Sequence, residues 1–149
     1  MATFNPTAGA PVARSVPSHG LKGSLKCAVG QVAVTTALAL NDTINFFYLP
    51  AGATVHSARL DTSVALDSNG SPTLTIDCGY ASHTADFFSQ SLVGSNATHT
   101  DVEPVFATTY DVQLTADTLI FATVHAAGAT KVAGTIRCII EYTVDGLAS

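Results

Sequence analysis

Charge is what this chain has least of. Only 11% of its 149 residues are Asp, Glu, Lys or Arg, against about 25% in a typical soluble domain. Six Lys and Arg face eleven Asp and Glu, for a net charge of -5. Binding to nucleic acid runs on phosphate neutralisation by clustered basic residues, and no basic stripe exists here. There is no Trp, the usual platform for stacking a sugar ring. No apolar run approaches the length of a membrane-spanning helix. Residues 1–20 lack the apolar centre of a signal peptide, so no secretory route is expected. The triplets Asn41-Asp42-Thr43 and Asn96-Ala97-Thr98 fit the glycosylation pattern and, without that route, are read as chance matches.

Cysteine is also scarce. Cys27, Cys78 and Cys138 are odd in number, far apart and form no CxxC pair, which argues against a metal cluster or a redox centre. Cys78 and Cys138 fall on the apolar side of alternating runs and read as small buried hydrophobes. His19, His56, His83, His99 and His125 are scattered, with no HxH, HxxxH or HExxH spacing to hold a metal. No Ser lies in GxSxG and no GxxxxGK is present, so neither a nucleophile elbow nor a phosphate loop is expected. Asp61, Asp67 and Asp77 gather near one end of an expected hairpin and offer the oxygen ligands calcium takes. The simpler reading makes Asp67 a turn cap and the other two ordinary solvated strand residues. The expectation is a non-enzymatic protein without metal or cofactor.

What replaces charge is Thr, Ser, Ala and Gly in alternating runs. Leu60, Thr62, Val64 and Leu66 alternate with Arg59, Asp61 and Ser63; Leu74, Ile76, Cys78 and Tyr80 with Thr73, Thr75 and Asp77. Tyr110, Val112 and Leu114 alternate with Asp111 and Gln113; Ile136, Cys138, Ile140 and Tyr142 with Thr135, Arg137 and Glu141. A period of two predicts half-buried strands. Leu60, Val64, Leu74, Ile76, Ile136, Cys138 and Ile140 are the expected core. Turn residues punctuate the runs: Pro50 and Gly52 in one turn, Gly128 in another, and Asn69-Gly70 within 67–72, which reads as a hairpin. Roughly eight such strands predict an antiparallel β-sandwich or barrel. Residues 85–92 read as a loop or short helix, because Phe and Ser are middling helix formers.

The domain is expected to begin near Leu21 and run to the C-terminus, over residues 21–149. Residues 1–20 carry Pro6, Pro11 and Pro17 with Gly9 and Gly20 and no periodicity, and read as an extended arm. Phe46 and Phe47, followed by Tyr48, are consecutive, as are Phe87 and Phe88. In a regular strand one of each pair faces away from the core. They are either a contact patch for another subunit or part of a strand buried on both faces. A charge-poor surface suits a protein packed against neighbours. The candidate interface therefore comprises Phe4, Pro6, Pro11, Pro17, Phe46, Phe47, Phe87 and Phe88.

One pattern has a wider resemblance. Leu49-Pro50-Ala51-Gly52-Ala53-Thr54-Val55, then Arg59-Leu60-Asp61-Thr62, then the run from Asp67-Ser68-Asn69-Gly70 to Ile76-Asp77, with residues 118–124 and 135–142, resembles tailed-bacteriophage virion structural proteins of the capsid decoration or cement type. The likeness covers about residues 40–146 and leaves out the arm. It implies a jelly-roll-like sandwich without catalytic residues, assembled as a homo-oligomer, often a trimer, on the major capsid protein. It implies a place on the capsid surface of a virion made in the host cytoplasm, with no nucleic-acid or membrane partner and no cofactor. A tail or fibre component that binds a host-surface glycan is the alternative. The matching positions are structural, so no site residue carries over.

Overall fold

In a computed structural model, residues 3–4, 24–34, 38–94 and 112–144 are described. They form nine strands: β1 (Thr3–Phe4), β2 (Lys26–Val34), β3 (Thr43–Leu49), β4 (Ala53–Thr62), β5 (Thr75–Tyr80), β6 (His83–Ser91), β7 (Val112–Gln113), β8 (Thr118–Ala126) and β9 (Gly134–Val144). No helix occurs among the described residues. One sheet has the order β1-β3-β8-β5-β6, the other β2-β9-β4-β7. All pairs are antiparallel except β1 with β3. Without β1, two four-stranded sheets remain, and the chain passes from one to the other at nearly every connection. That is the jelly-roll arrangement, and it bears out the expected sandwich.

The core lies between the sheets. Inward residues of β4 and β9, Leu60, Ile136, Cys138 and Ile140, face Ile44, Leu49, Ile76, Cys78 and Ile120 of the other sheet, all at 0% exposure. Leu74 is also buried. Six of the seven expected core residues are therefore in place. Val64 is the correction. Strand β4 ends at Thr62, the alternation stops with it, and Val64 is 43% exposed in the connection that follows.

The consecutive aromatics are accommodated by breaks in strand register. Asn45 pairs with Phe121 and Phe47 with Ile120, so Phe46 is an extra residue without a partner. Such a β-bulge resets the alternation by one residue, and both Phe46 and Phe47 are buried. Opposite them stands Gly30 of β2. A Cβ there would lie 2.7 Å from Phe47 Cδ1 and 2.8 Å from Phe46 Cβ, so only glycine lets the two rings approach that strand. Residues 85–92, expected as loop or short helix, lie mostly in β6. Its pairing to β5 shifts register twice, Gln90 takes a φ of 51°, and Phe87 and Phe88 both turn into the core.

Two connections differ in how well their sequence describes them. Ala53 N–H donates to the Pro50 carbonyl at 3.1 Å across Ala51 and Gly52, and Gly52 has a φ of 80°. A positive φ at that turn position favours glycine. The Asn69-Gly70 segment, by contrast, is not a hairpin. It joins β4 to β5, which lie in different sheets, and so crosses the sandwich.

Candidate functional site

That crossing is organised by one side chain. Asp67 is 1% exposed. Its two oxygens accept from five backbone N–H groups: Asn69 at 3.2 Å, Thr73 at 2.8 Å, Leu74 at 3.3 Å, Ala129 at 3.1 Å and Thr130 at 2.9 Å. Burial pushes the carboxyl pKa up, but the backbone donors of Thr130, Thr73, Ala129 and Asn69 outweigh it and hold it well below the usual carboxylate range. Asp67 thus ties the β4–β5 crossing to the β8–β9 crossing, where Asp67 and Lys131 also form an isolated bridge. The turn-cap reading of Asp67 understated it, because the residues at 129 and 130 are distant in sequence.

The calcium constellation does not assemble. Asp61 lies in β4 and takes a two-pronged contact from Arg137 of β9, Nε to Oδ1 at 3.0 Å and a terminal guanidinium nitrogen to Oδ2. Arg59 approaches the same carboxylate at 3.4 Å. Asp77, in β5 of the opposite sheet, accepts from Gln90 N–H at 2.7 Å and meets His125 Nδ1 at 2.9 Å. The three carboxylates therefore serve three separate networks. Among the described residues no group of three or more His, Cys, Asp or Glu is placed to hold a metal ion.

The Arg59–Asp61–Arg137 cluster lines a cleft of about 390 Å³ on the outer face of the four-stranded sheet, with Gln31, Thr62, Ser63 and Thr135. Its geometry follows from register: Gln31 pairs with Arg137 and Arg137 with Asp61 across three neighbouring strands. The cleft offers guanidinium, amide and hydroxyl donors, which suit polar contact with a partner. It has no nucleophile set beside a base.

The five-stranded sheet differs. Its strands contain no Lys, Arg or Glu, and each of its two Asp residues meets a His. His83 Nδ1 lies 2.9 Å from Asp86, and the His83 ring stacks on Tyr80 with centroids 4.8 Å apart. Burial, then the charge and hydrogen bond of Asp86, raise the Tyr80 pKa. Cys138 and Cys78 adjoin each other in the core, and burial, then Cys78, pushes the Cys138 thiol pKa well up. A thiol held protonated is a poor nucleophile, in keeping with the buried-hydrophobe reading.

The candidate interface residues separate into three groups. Phe46, Phe47, Phe87 and Phe88 are buried within the chain at 4% exposure or less. The contact-patch reading of these four is corrected, and so is that of a strand buried on both faces: the register breaks turn both members of each pair into the core. Phe4 is half-buried in β1 and packs against the core from the sheet edge, where the Thr43 hydroxyl donates to that of Thr3 at 3.0 Å. Pro6, Pro11 and Pro17 lie outside the described residues, as does Tyr110. The Arg59–Asp61–Arg137 cluster escaped the sequence reading. Its one signal was that three of the chain's few charges sit on the outward positions of two expected strands.

No protein-family model matches the chain, and no curated protein matches it. Solved structures do. A chain of the capsid asymmetric unit of cyanophage Pam1 is 28% identical, with a TM-score of 0.76 over 93% of this chain and 96% of its own length. A chain of the capsid of Ralstonia phage GP4 is 22% identical, with a TM-score of 0.76 over 97% of this chain and 99% of its own. A chain of the acidic stable capsid of Helicobacter pylori bacteriophage KHP30 is 16% identical, with a TM-score of 0.61 over 85% of this chain and 92% of its own. The resemblance to phage virion structural proteins is thereby borne out: over nearly its whole length this chain has the fold of chains found in phage capsids.

Proposed function

We propose that this protein is a structural component of a phage capsid that decorates and stabilises the shell as a cement protein, binding between major capsid subunits. The observation that supports this best is the match to chains of phage capsids from end to end, at 28% identity with 93% of this chain covered in one case. The role is mechanical and needs no catalytic centre. Low charge favours it, since docking such a surface removes few ions from water. Residues 1–20 act as a clamp on the shell, with Phe4 holding the start of the chain against the sandwich. An arm laid against a partner adds to the interface area. Repetition over a lattice turns a weak gain per copy into a large collective one.

The test is reconstitution. Capsids made without this protein are mixed with the purified chain, their heat resistance is measured, and the particles are imaged by electron cryomicroscopy. The expected result is added density bridging major capsid subunits and a higher disruption temperature. Absence of the chain from the shell, with density in the tail, overturns the reading in favour of a tail or fibre role. Deleting residues 1–20 tests the clamp: the truncated domain is expected to fold normally and bind the shell more weakly, and unchanged affinity rejects the clamp.

A further inference from the structure

The Asn69-Gly70 pair does not make the hairpin its sequence suggests, and its glycine has no steric duty. A Cβ on Gly70 would meet nothing within 4 Å. Among the described residues only Gly52 has the positive φ that favours glycine. Asn69, Gly70 and Ser71 are all exposed. The Gly70 N–H donates to no backbone carbonyl among the described residues. What the missing Cβ does leave open is the approach to that nitrogen.

The Asn69 side chain is held for attack. Its Oδ1 accepts from the Ser71 N–H at 2.9 Å, which folds the side chain over the Gly70 peptide and draws electrons from Cγ. Its Nδ2, the leaving nitrogen, donates to Thr130 Oγ1 at 3.3 Å, and a hydroxyl is a donor as well as an acceptor. The other asparagines differ. Asn5 precedes Pro6, which has no N–H, and Asn96 precedes Ala97, which carries a Cβ. The Asp42 N–H after Asn41 is bound to the Ala39 carbonyl at 3.1 Å. Asn45 precedes Phe46, whose ring is buried.

We propose that Asn69 is a self-modification site, converting to isoaspartate and aspartate through attack by its own neighbour. The Gly70 nitrogen bonds to Asn69 Cγ, the Cγ–Nδ2 bond breaks, and ammonia leaves carrying the Gly70 proton. The cyclic imide so formed is opened by one water at either carbonyl. One water enters, one ammonia departs and no electrons are exchanged. The first step joins groups already held together in one chain. The product acts on the crossing. The Asn69 N–H donates to the buried Asp67 at 3.2 Å. Isoaspartate lengthens the backbone beside that bond, and a second carboxylate near Asp67 repels it. The site therefore times a slow loosening of the tie between the two crossings. It does not rest on the capsid reading.

Peptide mapping by mass spectrometry of the full chain, aged in mildly alkaline buffer, tests this, with isoaspartyl methyltransferase labelling and thermal melting on the same samples. The expected results are conversion at Asn69 ahead of Asn41 and Asn45, isoaspartate among the products, and a melting temperature that falls by roughly 5 °C as conversion proceeds. Gly70→Ala, at a position with room for the methyl group, should melt as the fresh wild type does and convert about tenfold more slowly. A folded chain that keeps Asn69 intact while the urea-unfolded chain converts it overturns the proposal, since the loop then protects the amide. So does an aged chain modified first at another asparagine. Aged protein that melts like fresh protein overturns the link to Asp67.

Discussion

The two sheets share a core and differ on their outer faces. The four-stranded sheet carries Lys26, Arg59, Asp61, Arg137 and Glu141, joined in part by cross-strand pairs. The five-stranded sheet has no Lys, Arg or Glu in its strands, and its carboxylates are matched with histidines. An average over the chain reports only a low charge. The structure shows that low charge belongs to one face, while the other holds most of the strand charges and a polar cleft. A protein wedged among neighbours gains from such division, because one surface can be desolvated at little electrostatic cost while the other sets register by polar contacts.

The largest expected effect tests what holds the two sheets to each other. Asp67→Ala removes the acceptor for several buried N–H groups at once, each costing about 1–3 kcal/mol when left unsatisfied. A loss of about 3–5 kcal/mol is expected by urea unfolding. The same residue sets an acid dependence. An unfolded Asp titrates near about pH 3.9, and the folded carboxyl lies lower. The stabilisation is therefore complete above the unfolded value and lost as pH falls below it toward the folded one. Wild-type stability should drop below about pH 4, and Asp67→Asn should flatten that slope.

Next come paired substitutions, one in each sheet. Ile76→Ala and Ile140→Ala, both at fully buried positions, should each cost about 2–5 kcal/mol. Similar losses confirm a shared core, and a loss below about 0.5 kcal/mol at either marks a misplaced strand. Gly30→Ala tests the approach of β2 to the bulged aromatics. A methyl group there meets Phe46 and Phe47, and a cost of about 1–3 kcal/mol is expected from overpacking. The smallest effects separate the outer faces. Arg137→Gln on the four-stranded sheet should cost about 1 kcal/mol or less and lose its effect in high salt. Thr123→Ala on the five-stranded sheet should be indifferent to salt. A salt-dependent loss at Thr123 breaks the comparison.

Much of this was legible in the residues. The alternation in β4, β5 and β9 gave strand positions and six of seven core residues, because side-chain direction in a strand depends on sequence parity alone. The turn at Pro50 and Gly52 was readable because its chemistry is local. Parity failed where the strand itself breaks register. Nothing in Asn45-Phe46-Phe47 announces a bulge, since the extra residue is defined by its partners Phe121 and Ile120 on β8. For the same reason β6 passed as loop or short helix, and Phe87 and Phe88 as candidates for an outward patch.

Composition and period two by themselves determined an all-β chain with little charge, no basic stripe and no recognisable catalytic spacing. Those properties depend on residue type and on neighbours one or two places away. Only the tertiary structure decided which strands share a sheet and that the Asn69-Gly70 segment crosses between sheets. It also brought Asp61 to Arg137 and Asp67 to Ala129 and Thr130. These depend on pairing between residues 62 to 76 positions apart, and a pairing over that distance is selected by the closure of one common core, which no local pattern specifies.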